Sequence, residues 1–251
     1  MQKLDDYRVA DGIKVEITDH IVHPNAKIEF HIACTGIGVK FQISNAKTYA
    51  TYGDIYYDYY DDIYFDEDNK LASIRPVVEF INEKADLMST ELFGTLSKVD
   101  ELGYFTYSHL RYFNKGKKYL VGFDKAEDLL GSEVVLFHQD FGYIFKNRQY
   151  VGWYLQNPLN YLCNDDIKPN KPFSDVRDNE YDVLEIFINT FCDNDFEELY
   201  DGNEELAVVL WDRIFKIAPI IKNEQRRKIF IDAARNYYEW RCHKFPDEPH
   251  S

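Results

Sequence analysis

The sequence predicts an α+β fold: an antiparallel, aromatic-rich sheet with one long helix, followed by a C-terminal helical portion. Apolar and polar residues alternate with period two through much of residues 1–163, whereas apolar residues recur every three or four positions in residues 179–244. The stretch between them, residues 164–178, is polar, contains two prolines and is the predicted connection. We expect the helical portion to pack on the β-rich domain, with one single domain as the alternative.

The first strands are predicted where the alternation is clearest, at residues 14–17, 27–32 and 39–43. Alternation gives each strand one buried face and one wet face, which is typical of an antiparallel sheet. Turn-forming residues separate the three segments. The pattern therefore predicts a three- or four-stranded meander.

Residues 49–68 contain seven tyrosines and seven acidic residues, with no lysine or arginine. Tyrosine favours a strand and aspartate opposes it, so we expect an edge strand or a long excursion that carries the acids outward. This acidic stretch (residues 49–68) is the most unusual feature of the sequence.

A long helix is predicted from Pro76 to about residue 102, because proline suits the first turn of a helix. Its apolar residues fall at three- and four-residue spacings, and Gly103 follows the last of them. The members of this stripe are Val77, Phe80, Ile81, Met88, Leu92 and Leu96.

Short aromatic strands are predicted next, at residues 104–113, 119–123, 133–138, 143–146 and 149–155. Residues 114–117 and 147–148 have the composition of hairpin turns. Three helices complete the chain, at residues 180–191, 204–218 and 223–243, with Pro219 after the second and Asn223 as the cap of the third.

Composition and charge exclude several classes of function. The formal net charge of −15 disfavours nucleic acid and anionic membranes as ligands, because phosphate binding needs lysine and arginine. The four cysteines are widely spaced, without a CxxC pair, which indicates buried thiols rather than a zinc ribbon or a disulfide framework. We find no signal peptide and no long apolar run, so we predict a cytoplasmic protein.

Motif searches find no P-loop, no GxSxG and no GxGxxG, and we predict no catalytic residue, cofactor or metal. The alternative is a metal-dependent or His/Asp-based hydrolase of unknown substrate. It would use His109, His138 and Asp140, because Asp140 lies two residues from His138 and could orient its imidazole on an extended strand.

The leading hypothesis is a non-enzymatic module that binds and neutralises a basic protein, as an immunity protein or inhibitor does with a nuclease toxin. Carboxylates speed association with a basic partner, and tyrosines supply rigid contact area. A second acidic run, residues 193–205, could add to the surface. The predicted partner-binding residues are Asp54, Tyr57, Asp58, Tyr60, Asp61, Asp62 and Asp66.

Overall fold

Two β-sheets and three α-helices make up the described part of the chain, which confirms the α+β class. The computed structural model describes residues 7–33, 36–43, 61–78, 81–101, 103, 108–191 and 204–241. Within these residues, no helix is both long enough and apolar enough to cross a membrane.

The larger sheet has eight strands and mixed pairing. Most neighbours are antiparallel, but β8 (Met88–Lys98) runs parallel to β11 (Leu130–His138) and β7 (Ile81–Asn82) runs parallel to β9 (Leu110–Asn114). In spatial order its strands are β1 (Ile13–Thr18), β8 (Met88–Lys98), β11 (Leu130–His138), β12 (Phe141–Lys146), β13 (Gln149–Gln156), β10 (Tyr119–Phe123), β9 (Leu110–Asn114) and β7 (Ile81–Asn82).

The smaller sheet is also mixed, because its edge strand β14 (Leu162–Cys163) runs parallel to β2 (Lys27–Ala33). The prediction of an antiparallel sheet is therefore right for most strand pairs and wrong for three of them. In spatial order the strands are β14 (Leu162–Cys163), β2 (Lys27–Ala33), β3 (Gly36–Gln42), β5 (Leu71–Arg75) and β4 (Asp62–Phe65), and β6 (Val77–Val78) also pairs with β3.

The predicted first strands all form, but they do not make one meander. β2 and β3 pair as a hairpin, whereas β1 lies at the edge of the larger sheet and pairs with β8, with Val15 opposite Leu96. Alternation predicts that a strand has one buried face but does not specify its partner, which is why β1 was placed in the wrong sheet.

The predicted long helix is wrong, since the segment forms strands β6, β7 and β8. Met88, Leu92 and Leu96 are four residues apart, a spacing that fits one face of a helix and equally one face of a strand. Thr90 and Thr95 between them favour a strand, and Leu96 is buried against the core while Met88 is exposed.

The later strands and their hairpins match the prediction closely, except for the strand predicted at residues 104–113: residues 104–107 lie outside the described residues, and β9 begins at Leu110. Asn147 and Arg148 connect β12 to β13 with φ values of 50° and 65°, as a two-residue hairpin turn requires. Trp153 on β13 is fully buried, so this aromatic hairpin belongs to the core rather than to a surface.

The three predicted helices are confirmed as α1 (Glu180–Thr190), α2 (Glu204–Ile217) and α3 (Glu224–Arg241). They share a continuous hydrophobic core with both sheets. Phe41 of the smaller sheet stacks on Phe141 of the larger one with ring centres 5.3 Å apart. The helices contribute to the same core residues such as Phe187, Trp211 and Phe230.

Candidate functional site

The acidic stretch is described only from Asp61 onward. Four of the seven predicted partner-binding residues, Asp54, Tyr57, Asp58 and Tyr60, lie outside the described residues. Of the other three, Asp61 and Asp62 are each only 1% exposed, and Asp66 is half-buried.

The expectation that the stretch carries its acids outward is wrong for Asp61 and Asp62. Asp61 Oδ1 accepts a hydrogen bond from the Val77 backbone N–H at 2.8 Å, and its Oδ2 accepts from the Tyr150 hydroxyl at 3.0 Å. Asp62 accepts from the Tyr64 hydroxyl at 2.8 Å. These hydroxyl and amide donors replace water at both Asp61 oxygens and at Asp62 Oδ2, whereas Asp62 Oδ1 is buried with no hydrogen-bond partner among the described residues.

Burial changes the acid–base behaviour of both groups. It raises the pKa of Asp61 to about 7, and the hydrogen bonds from Val77 and Tyr150 only partly oppose this effect. Burial also raises the pKa of Asp62, against the opposing effect of the hydrogen bond from Tyr64. These two residues therefore anchor the end of the acidic stretch in the sheet.

Beyond β4 the chain makes a tight acidic turn into β5. Asp66 Oδ1 accepts hydrogen bonds from the backbone N–H groups of Asp68 and Lys70, at 2.9 and 2.8 Å. Asn69 adopts a left-handed conformation with φ of 59°. Glu67 and Asp68 are exposed on this turn. The second acidic run is described only from residue 204 onward, and Glu205 is exposed.

A cleft of about 530 Å³ lies elsewhere on the molecule, over the β2–β14 edge of the smaller sheet. Its lining includes Lys27, Glu29, His138, Tyr161, Cys163 and Lys168. A second cleft of about 360 Å³ shares Glu29 and Lys168 with the first and adds His31 and Arg75. Several cations thus line this region of a protein with a formal net charge of −15.

His138 and Asp140 stand at the wall of the first cleft, but not in the predicted relationship. β11 ends at His138 and the chain turns, so the Asp140 backbone N–H, rather than its carboxylate, hydrogen-bonds to His138 Nδ1 at 3.2 Å. The Asp140 carboxylate accepts a hydrogen bond from the Tyr161 hydroxyl. Burial lowers the pKa of His138, so its imidazole is neutral near pH 7. His109 immediately precedes β9 and is not among the described residues that line this cleft.

Glu29, His31 and Cys163 form a cluster that we call the EHC cluster. Alternation along β2 places Glu29 and His31 on one face, and the parallel pairing of β14 places Cys163 opposite His31. Cys163 Sγ lies 3.3 Å from His31 Nε2, and Glu29 Oε2 lies 3.5 Å from the same nitrogen. All three donor atoms lie within 4.8 Å of one another.

The protonation of the EHC cluster follows from its surroundings. Burial, with the nearby charge of Glu29, raises the pKa of Cys163 to about 12, so the group is a thiol at neutral pH. Burial also lowers the pKa of His31. Burial opposes ionisation of Glu29, but the hydrogen bond and the charge of Lys27 outweigh it and lower the pKa of this carboxyl.

Sequence reasoning missed the EHC cluster because its third member lies 132 positions from His31 along the chain. The pattern Glu-x-His on a predicted strand was a usable signal, but nothing in the sequence pairs β14 with β2. Neither the two predicted histidines nor Asp140 belongs to the cluster.

Comparisons with known proteins assign no function to these residues. No protein family model, curated protein or solved structure matches the chain.

Proposed function

We propose that this protein is a non-enzymatic binding module that uses an acidic surface to bind and neutralise a basic protein, in the manner of an immunity protein or inhibitor. The observation that carries the proposal is the charge distribution: residues 54–68 hold seven acids and no base, in a chain with a net charge of −15. Such a surface attracts a basic partner and accelerates its association.

The structure supports this proposal by giving the acidic stretch a fixed end. Asp61, just before β4, and Asp62, its first residue, are both buried, so their role is to anchor the stretch rather than to touch a partner. The adjoining turn is held by Asp66 and presents Asp68 to solvent. The proposed contact residues are therefore Asp54, Tyr57, Asp58, Tyr60, Asp66 and Asp68.

Affinity capture from cells that make the protein tests the proposal, because exposed charge pairs are screened by salt. The tagged full-length chain is used as bait at low and at high salt, and bound proteins are identified by mass spectrometry. We expect one basic protein in about equal amount to the bait at low salt, and its release at high salt. Capture of no basic protein, or of one that high salt leaves bound, contradicts the proposal.

A second candidate function is a hydrolase, and one observation favours it: His138 lies in the wall of a cleft that Lys27 and Lys168 also line. A neutral imidazole can act as a general base, and the lysines would suit an anionic substrate. This candidate requires turnover of phosphate or carboxylate esters that is lost in His138→Ala while the melting temperature is kept. Equal turnover by the wild type and His138→Ala would exclude it.

A further inference from the structure

We propose that the EHC cluster is a binding site for a borderline-soft divalent metal ion, with Zn²⁺ the best match, and that one coordination position remains for a ligand from the clefts. None of the three residues belongs to the acidic stretch, and the proposal does not depend on the protein-binding function. The sequence alone predicted no metal site.

The spacing of the donor atoms fits a tetrahedral ion. Zinc bonds of about 2.0 Å to nitrogen or oxygen and about 2.3 Å to sulfur place neighbouring ligand atoms ~3.3 to ~3.7 Å apart. In the EHC cluster the distance from Sγ to Nε2 is 3.3 Å, and the distance from Nε2 to Oε2 is 3.5 Å. Two of the three ligand pairs therefore already have tetrahedral spacing, and the third pair, Cys163 Sγ and the Glu29 carboxylate, lies within 4.8 Å and must close onto the ion by side-chain rotation.

The types of donor decide which metal is expected. Thiolate and imidazole ligands select zinc and similar transition metals, whereas calcium and magnesium prefer sites made of oxygen atoms. Three protein ligands with one position left for water are typical of catalytic zinc sites, while structural sites usually have four protein ligands.

The geometry does not favour a nucleophilic triad. In such a triad the histidine contacts the nucleophile with one ring nitrogen and the carboxylate with the other. Here His31 Nε2 faces both Cys163 Sγ and Glu29 Oε2. Because both other donor atoms lie near the same ring nitrogen, the three atoms have the arrangement expected of ligands that surround one metal ion.

The surroundings also suit a metal site. Lys27 binds Glu29 through Oε1, which leaves Oε2 directed at the cluster. Outer partners of this kind orient carboxylate ligands. Glu29 and Cys163 line the larger cleft, and Glu29 and His31 line the smaller one, so a fourth ligand can approach from either side.

Binding must release a proton, because an ordinary cysteine is a thiol at neutral pH and zinc binds the thiolate. The Cys163 S–H bond breaks as the Zn–S bond forms, and the proton passes to solvent. Metal affinity is therefore expected to fall as the pH is lowered.

The experiment uses the full-length chain, stripped of metal with a chelator, and titrates it with Co²⁺ and then Zn²⁺ alone. We expect one Co²⁺ per chain, with the thiolate-to-cobalt charge-transfer band and the intense visible bands of a tetrahedral site. Zn²⁺ should displace the cobalt and abolish these bands. Cys163→Ser and His31→Gln should each weaken Zn²⁺ binding by more than about 100-fold, the upper end of what loss of an outer partner costs.

Two control variants separate the cluster from other cysteines and histidines. Cys192→Ser removes a different thiol, and His20→Gln removes an exposed imidazole that contacts Asp19. Both should bind metal like the wild type. Absence of the charge-transfer band in the wild type overturns the proposal, whether or not the variants fold. Equal Zn²⁺ affinity in Cys163→Ser and the wild type overturns it as well.

Discussion

Arg226 and Glu180 form an ion pair in which both side chains are fully buried. Arg226 Nε donates to Glu180 Oε2 at 2.9 Å, and its Nη2 lies 2.8 Å from the same oxygen. Asp175 contacts Nη1 at 2.7 Å, and the guanidinium lies over the Phe173 ring at 4.7 Å. The pair joins α3 to the first residue of α1, so it fixes how two of the helices meet.

Loss of one partner should be costly, because the other charge would stay buried without compensation. We expect Arg226→Ala to lower the free energy of unfolding by about 3 to 5 kcal/mol in urea denaturation. The double variant Arg226→Met/Glu180→Met should recover most of that loss, since neither residue then carries a charge.

Arg227→Ala is the matched control, because it removes the same side chain one position along α3, from a half-buried site. We expect it to cost less than about 1 kcal/mol. Equal losses of stability from the two arginine substitutions would show that the buried ion pair contributes no more than the half-buried Arg227 side chain.

The stability of the protein should depend on pH through Asp61. Its pKa is about 7 in the folded chain, against an ordinary aspartate value of 3.8 when the chain is unfolded, so folding favours the protonated form. This contribution is fully present below pH 3.8 and is lost as the pH rises through about 7. The difference corresponds to about 4 kcal/mol in the free energy of unfolding.

Asp61→Asn keeps a polar side chain of the same shape and does not titrate. Its stability should therefore fall less between pH 4 and pH 7, roughly the range between the two pKa values. The free energy of unfolding of Asp61→Asn should also exceed that of the wild type at about pH 8. The raised pKa of Asp62 leaves some residual dependence of stability on pH.

The exposed Asp68→Asn is the control and should keep the wild-type slope of stability against pH. A wild-type slope in Asp61→Asn, measured by chemical denaturation across this range, would refute the assignment.

Gly122 is required by the position of Trp153 on the neighbouring strand. A Cβ atom on Gly122 would lie 2.2 Å from Trp153 Nε1, and this indole is fully buried. We expect Gly122→Ala to lower the free energy of unfolding by about 3 kcal/mol, the upper end for overpacking a core.

Gly116→Ala provides the comparison, because its Cβ would meet only Asn114 Oδ1, at 3.5 Å. It should change stability by less than about 0.5 kcal/mol. Thermal and urea unfolding of both variants test the contrast. A small effect at Gly122 would mean that Trp153 can move aside.

Local patterns in the sequence predicted much of the secondary structure. The helices at the C-terminal end were found because apolar stripes, Pro219 and Asn223 agree with one another. The turn at Asn147 and Arg148 was found because its composition suits a left-handed backbone. β8 was misassigned because residues four apart share a face in both a helix and a strand.

Sheet partners and buried polar groups were beyond local patterns. Nothing near β1 indicates that β8 is its neighbour, and nothing near β14 indicates that it joins β2 beside His31. Asp61 looked like a surface acid because its donors, Val77 and Tyr150, are distant in sequence and become neighbours only in the folded sheet.

Binding of a basic protein by the acidic stretch is tested most directly by comparing two variants. One has three charges reversed within the stretch, and the other has three charges reversed at other positions. The test variant carries Asp54→Lys, Asp58→Lys and Asp68→Lys, and the control carries Asp86→Lys, Glu127→Lys and Glu224→Lys at three exposed positions outside residues 49–68. Both change the net charge equally. We predict that affinity capture at low salt fails with the test variant and succeeds with the control. Equal capture of the same basic protein by both variants would contradict the account.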